Sequence, residues 1–348
     1  MTPARILAHC LMFLCGAIGA VSASAAPATP LFASDEPIRI TLQGPIGLVS
    51  RNAAQGPQEA TLSVQGVAPD RLRVHLSPRG ITRLKREVCQ FAPLRVDFAA
   101  PPPPSSIFSG QSRLKLVTHC RHSEDFQQKL LLEYSAYRLF NALTPLSYRV
   151  RLAHIDYVEA DGRPLVSRLG FFIEDIRDVG SRNGLASFRG PDRILTSSLS
   201  AADAARVEIF EYMISNYDWS LRSGPVGYPC CHNAFLLGPN AAGAVVPVPY
   251  DFDFSGLVAA PYATVPDIVP IRSVRQRRYR GFCAHNAAAL QAAAEFRGKR
   301  AALLAVLDTI PEMTKATRAS AADYVGKFFD DIADDRSVER KLLSTCFN

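Results

Sequence analysis

A two-lobed α+β fold is predicted, with a β-rich N-terminal lobe and a mainly helical C-terminal lobe, on three observations. Between Ile38 and Phe98, apolar residues alternate in short runs bounded by turn residues. From Ser200 onward, the longer apolar stretches repeat at spacings of three and four. A stretch carrying Gly180, Gly184, Gly190 and Pro191 separates the two regimes. With 348 residues, 48% of them apolar and 20% charged, the chain can bury a sizeable core in one large or two ordinary domains. The divisions expected are a leader over 1–25, a flexible lead-in over 26–35, a β-rich lobe with one helix over 36–180, and the helical lobe over 181–348.

Met1 to Ala25 has the parts of a secretory signal: Arg5, an apolar run from Ile6 to Val21, and the small residues Ala23, Ser24 and Ala25. That run is shorter than a membrane span, and no later segment is long enough to cross. The mature protein is therefore expected to be exported, periplasmic or extracellular, without a transmembrane segment. Cys89, Cys120, Cys230, Cys231, Cys283 and Cys346 remain after the leader, and disulfides are expected among them. The pairings expected are Cys89 with Cys120, and one of Cys230 or Cys231 with Cys283. The adjacent pair is not a CxxC pattern, which argues against structural zinc.

The strand candidates in order are IRITLQG, ATLSVQG, LRVHLS and CQFAPLRVDF. Pro101 to Pro104 lack backbone donors and form a loop. In RLKLVTHC, alternation puts Lys115, Val117 and His119 on one face and Leu114 and Leu116 on the other. Ser123 then caps a helix that runs to about Leu143, with Glu124 and Asp125 in its first turn, where carboxylates suit the helix dipole. Glu133 shares its stripe with Phe126, Leu130, Tyr137 and Phe140. A carboxylate there either pairs with a cation, Lys115 being nearest in sequence, or lies at the stripe's edge in water.

Ser147 to Tyr157 and Leu165 to Ile176 are two further strands joined at Asp161-Gly162, the second ending in Glu174 and Asp175. Ser200 and Asp203 open a helix through Tyr217 with Val207, Phe210 and Ile214 on its core face. Ala287 to Leu307 and Ala321 to Leu343 are helices separated by Pro311. Arg272, Arg275, Arg277, Arg278 and Arg280, with Tyr279 among them, form a basic cluster that is either a solvated loop or a dock for an anionic ligand.

The stretch from Glu211 to Gly256 carries the chemistry. Asn216 and Asp218 follow the end of a helix, His232 and Asn233 precede an apolar run, and Asp251 and Asp253 follow another. Singly, such residues are caps and turns. Together they offer oxygen ligands for a hard cation. Asp251 and Asp253 lie on one side if the strand continues through them, and two like charges there require a cation, a positive side chain or solvent between them.

A strand lysine, a helix glutamate, an apolar strand before the lobe boundary, N-x-D-W, H-N and Y-D-F-D-x-x-G follow one another in this order. The chain thereby resembles the CotH family of secreted atypical kinases and, more loosely, the protein-kinase-like superfamily. The matching residues are Lys115, Glu133, the Phe171 to Ile176 strand, Asn216 to Trp219, His232-Asn233 and Tyr250 to Gly256. The resemblance implies a two-lobed kinase-like fold and an ATP or other nucleotide cofactor with Mg²⁺ or Mn²⁺. It implies that Lys115 holds nucleotide phosphates, that Glu133 orients it, and that Glu174 joins them in cofactor binding. Asp218 becomes the base or acceptor-positioning group, with Asn216 and His232 beside it, and Asn233, Asp251 and Asp253 become metal ligands. Asp218 and Asn233 are fifteen residues apart, so the segment between them must loop out.

The function expected is an exported metal-dependent phosphotransferase acting on a protein or glycan hydroxyl. The alternative is a catalytically inactive kinase-like module of the cell envelope that holds an anionic ligand. A formal charge of +7 favours anionic partners. Basic-aromatic interleaving is confined to one short cluster, so no nucleic-acid partner is expected.

Overall fold

The computed structural model describes residues 27–53, 56–66, 70–238 and 244–348. The expected leader lies outside the described residues. Short strands form where apolar residues alternate: β1 (Ile38–Gly44), β2 (Gln58–Val64), β3 (Arg71–Pro78), β4 (Leu94–Phe98) and β5 (Arg113–Val117), with a five-residue helix α1 (Ile46–Ser50) after β1. Helix α2 (Glu124–Leu143) follows, then the long hairpin of β6 (Val150–Glu159) and β7 (Pro164–Ile173), turning at Gly162.

These seven strands close into a barrel in the order β1-β2-β3-β4-β5-β7-β6. Every pairing is antiparallel except the closing one, in which β1 runs parallel to β6 with Ile40 opposite Ile155. Alternation predicts a β-rich half but not this closure, because the pairing that makes a barrel joins strands more than a hundred residues apart. Ile40, Leu42, Leu62, Val74, Leu76, Val96, Leu116 and Phe172 fill the barrel. Phe171 and Ile173, one residue either side of Phe172, point the other way into a second core. Burial on both faces explains the unbroken apolar run of that strand.

Helix α3 (Ile176–Arg182) opens on an Asp175 cap, beginning at the expected end of the preceding strand and running into the glycine-bearing stretch expected to separate the lobes. Strand β8 (Ser187–Phe188) pairs with β9 (Ala234–Leu237), and β9 with β10 (Val246–Pro249), in a three-stranded antiparallel sheet. Helix α4 (Ala201–Ile214) is buried nearly all round, as an axial helix of a core should be. It ends three residues earlier than expected, where Ser215 takes a left-handed conformation with φ 54°. The two C-terminal helices expected are instead four: α5 (Asn286–Gly298), α6 (Arg300–Asp308), α7 (Lys315–Asp331) and α8 (Asp335–Lys341). The second core joins α2, one face of β6 and β7, the three-stranded sheet and α4 to α8.

Three further expectations are corrected. The lead-in is anchored: Leu31 and Phe32 are buried in the barrel core, and their carbonyls accept from Arg151 and Arg149. The segment CQFAPLRVDF is a strand only from Leu94, because Cys89 is taken by a disulfide and Phe91 by a single bridge to Cys120. The Cys89–Cys120 pairing is as expected, but Cys230 bonds its neighbour Cys231, and Cys283 bonds Cys346. Among the described residues, no helix is long and apolar enough to cross a membrane.

Candidate active site

Local chain geometry brings Asp218, His232 and Asn233 together. Asn216 is buried, and its Oδ1 accepts from the Asp218 backbone N–H at 3.1 Å, while the Trp219 indole donates to the Asn216 carbonyl at 3.0 Å. This fixes the turn after α4. Ser220 and His232 then exchange backbone hydrogen bonds at 3.0 and 3.1 Å, so residues 221–231 loop out, as the spacing requires. His232 Nε2 lies 2.8 Å from Asp218 Oδ1, and Asn233 Nδ2 donates to Asp218 Oδ2 at 3.0 Å. The hydrogen bond that Asp218 accepts from the His232 ring raises the His232 pKa above its ordinary value, against the opposing effect of burial. Asn216 thus supports the turn rather than facing a ligand. Beneath it, Glu211 on α4 is buried, with both carboxylate oxygens lacking a hydrogen-bond partner, and burial pushes its pKa up to about 8.

The β9–β10 ribbon positions the other acids. Ala234 stands opposite Pro249, and the Tyr250 N–H donates to the Asn233 carbonyl, so Asn233 and Asp251 lie at the same end of the ribbon. The strand ends there: Asp251 has φ 65°, and its N–H donates to the Tyr137 hydroxyl on α2. Asp251 and Asp253 nevertheless face one group, and it is a positive side chain. The Arg83 guanidinium contacts Asp251 Oδ1 at 2.5 Å, Asp253 Oδ2 at 3.2 Å and Glu133 Oε2 at 3.1 Å.

The expected Lys115–Glu133 pair is therefore corrected. Of the two alternatives for Glu133 on the α2 stripe, the structure shows the buried, paired one, but its cation is Arg83, brought in by the segment between β3 and β4. Lys115 instead points its ammonium at aromatic rings, 4.1 Å from the Tyr250 centroid, 5.0 Å from Phe235 and 6.0 Å from Tyr148. Burial, reinforced by the nearby charge of Arg79, lowers its pKa to about 7. Strand β5 stops at Val117, so His119 leaves the face of Lys115 and packs against Phe91 and Tyr157 on the barrel side.

Burial raises Glu133 and Asp253 above the usual carboxylate range, against the pull of Arg83. Asp251 goes the other way: burial opposes ionisation, but the charges of Arg83, Arg79, Lys115 and His232 hold its pKa below the ordinary value. Four cationic groups from three segments, the β3–β4 connection, β5 and the turn before β9, thus act on one carboxylate. Arg79 and Arg83 carry no motif, and sequence reading missed both.

Glu174, expected in cofactor binding, is spent elsewhere. It is buried, both its oxygens accept from Arg182 at 3.0 Å, and it also takes the Arg149 N–H. Asp253, expected as a metal ligand, has Oδ2 occupied by Arg83 and by the Tyr262 hydroxyl at 3.0 Å. Glu133, Asp251 and Asp253 bring oxygens within 4.8 Å of one another, but the guanidinium already supplies their counter-charge. Oxygen donors of the kind a hard divalent ion takes remain partly open on the other side, where the Asp251 and Asp218 side chains are 25% and 39% exposed beside Asn233.

In the basic cluster, Arg275 and Arg277 stack on Tyr324 at 4.4 and 4.2 Å and donate to the Gly256, Met213 and Tyr324 carbonyls. Arg280 donates to the Tyr217 carbonyl at 2.7 Å. These three are structural ties rather than an open anion dock.

No family model matches the chain, and no curated protein matches it. Among solved structures, the crystal structure of a Helicobacter pylori proinflammatory kinase, CtkA, is similar at a TM-score of 0.39 and 10% identity, covering 81% of this chain and 92% of that one. A likeness of that size leaves the assignment to the residues of this chain.

Proposed function

We propose that the protein is an exported, metal-dependent phosphotransferase of the CotH-like, kinase-like type, moving a nucleotide phosphoryl group to a protein or glycan hydroxyl. The observation that carries this reading is the convergence of Asp218, His232 and Asn233 with an Asp251 held ionised by Lys115, Arg79, Arg83 and His232. Phosphoryl transfer needs positioning and charge neutralisation more than covalent chemistry, and this set provides both. Three disulfides fit an oxidising compartment.

In this mechanism Lys115 and Arg79 bind the phosphates of ATP or another nucleotide. Asn233 and Asp251 would hold the Mg²⁺ or Mn²⁺, whose chemistry is neutralisation of phosphate oxygens. Each Asp218 oxygen has one protein partner and so retains acceptor capacity for the acceptor hydroxyl. As the acceptor oxygen bonds to phosphorus, the bond to the leaving nucleotide breaks and the hydroxyl proton passes to Asp218, which His232 keeps oriented. The alternative, an inactive envelope module using the arginine cluster, is disfavoured because Arg275, Arg277 and Arg280 are engaged within the fold.

A thermal-shift titration with ATP and Mn²⁺ tests the reading. Stabilisation of the wild type by the pair, together with phosphate incorporation that is lost in Asp251→Ala, is expected. Absence of stabilisation under conditions where a control kinase responds rules the reading out.

A further inference from the structure

We propose that Arg83 is a positioning residue that supplies the inner positive charge of this site from the chain itself, so that a divalent ion is held only on the outer side, at Asn233 and Asp251. Its role in phosphoryl transfer rests on the function proposed above. The observation behind it, one buried guanidinium among three carboxylates, does not.

Glu133, Asp251 and Asp253 are brought together from α2 and from the end of β10. Three carboxylates within 4.8 Å cannot all stay ionised away from water without a counter-charge. Arg83 contacts each through a different nitrogen: Nη1 to Glu133, Nη2 to Asp251 and Nε to Asp253. The planar guanidinium spreads its donors so that each acid meets its own nitrogen, whereas a lysine ammonium would have to serve all three from a single atom. The Arg83 side chain is 7% exposed, so the contact belongs to the interior and not to a solvated surface.

The chain invests in keeping Arg83 there. It sits on a single turn, Thr82–Leu84, in the connection from β3 to β4. That connection is fastened to the start of α2 by the Cys89–Cys120 disulfide, by Arg121 donating to the Val88 and Glu87 carbonyls, and by the Phe91 N–H donating to the Cys120 carbonyl. Lys115, meanwhile, makes no ion pair with Glu133 and stays on its aromatic rings. The two tasks expected of one lysine, orientation by the helix glutamate and contact with phosphate, are thus divided. Arg83 holds the acids, and Lys115 is left free for the ligand.

A divalent ion at the inner acids would compete with Arg83 for their negative charge, even with Glu133 Oε1 left without a hydrogen-bond partner, and the two cations would repel each other. Removing the guanidinium while keeping the acids therefore converts the cluster into a new cation site. Isothermal titration with Mn²⁺ and thermal shift, both without nucleotide, read this directly on the full-length protein with its disulfides intact. Arg83→Met is expected to bind one more Mn²⁺ than the wild type and to gain about 5 °C more from saturating Mn²⁺. Arg83→Lys, which keeps the charge, is expected to gain no additional Mn²⁺.

Equal Mn²⁺ stoichiometry in the wild type and a folded Arg83→Met overturns the proposal. If Arg83→Met is recovered unfolded, two measurements carry the test. Refolding in Mn²⁺ must restore it, and Arg83→Met/Glu133→Gln/Asp253→Asn, with its inner acids neutral, must fold without Mn²⁺ and bind no more of it than the wild type. Failure of either overturns the assignment. The outcomes separate from those of the proposed function. A gain of Mn²⁺ in Arg83→Met with no ATP response in the wild type keeps Arg83 in its role and removes the phosphotransferase. An ATP response without that gain does the reverse.

Discussion

Replacing Lys115 by methionine removes a charge while keeping much of the side chain's length. It should stabilise the ligand-free protein while removing its response to nucleotide. The ammonium lies among Tyr250, Phe235 and Tyr148, where burial and the neighbouring Arg79 lower its pKa from 10.5 to about 7. That difference corresponds to a cost of about 5 kcal/mol for the charged form. Contact with the rings returns about 1–2 kcal/mol, leaving a gain of about 3 kcal/mol for Lys115→Met at pH 7.

The sign with pH follows from proton counting. Between about 7 and 10.5 the unfolded chain binds the Lys115 proton more tightly than the folded one, so the wild type gains stability as pH rises through that window. Below about pH 7 both states carry the proton, and the cost is fully present. Urea unfolding of the two proteins at pH 6, 7.5 and 9 measures it, and the advantage of Lys115→Met should shrink as pH rises. A variant less stable than the wild type at pH 7, or a difference independent of pH, would refute the view that this charge is held against its solvation for a ligand.

Five further outcomes follow from the same geometry. Asp218→Asn should lower kcat by about 10²–10⁴ if Asp218 takes the hydroxyl proton, with far-UV circular dichroism unchanged. In the same variant the His232 pKa should fall, because the Asp218 hydrogen bond is what raises it; NMR titration of the ring protons reads this. The stability that this pair contributes is fully present below about pH 6.5 and is lost as pH rises through the elevated folded value, so the wild type and the variant should converge in alkaline urea melts. Breaking Cys283–Cys346, which spans 63 residues, should cost about 4 kcal/mol in denaturant unfolding, whereas breaking Cys230–Cys231, one residue apart, should cost far less. Gly256→Ala should destabilise by about 2–3 kcal/mol by calorimetry, because its methyl group would lie 2.4 Å from the Val274 carbonyl oxygen and 2.6 Å from the Tyr324 hydroxyl. This glycine of the acidic motif is thus needed for close packing.

Much of the site's outline was legible in the chain. Glu133 shows as a carboxylate on an apolar stripe from helical spacing alone, while its burial, open in the sequence, was decided by the fold. Asn216, Asp218, His232 and Asn233 are legible as residues at element ends, and the looping-out of the segment between Asp218 and Asn233 was expected from the family resemblance. That something must separate the charges of Asp251 and Asp253, whether a cation, a positive side chain or solvent, was also legible, but which of these it is was not. Arg83 lies 168 residues from Asp251 in a segment without periodicity or motif, so nothing local marks it among the other arginines. The nearest lysine in sequence was the natural candidate and the wrong partner, because strand alternation turns Lys115 toward Tyr250 while the β3–β4 connection folds over α2.

By itself, then, the amino-acid order determined the local periods: alternating strands before the helical half, an acidic stripe residue on α2, and a set of oxygen donors at chain turns. These are properties of backbone geometry over a few residues, and each repeats wherever the spacing does. Only the tertiary structure decided the closure of the barrel through β1 and β6, the Cys230–Cys231 and Cys283–Cys346 bonds, and the seating of one guanidinium among three acids. Those depend on which distant segments cross, and that is set by the summed burial of two cores rather than by any short stretch of chain.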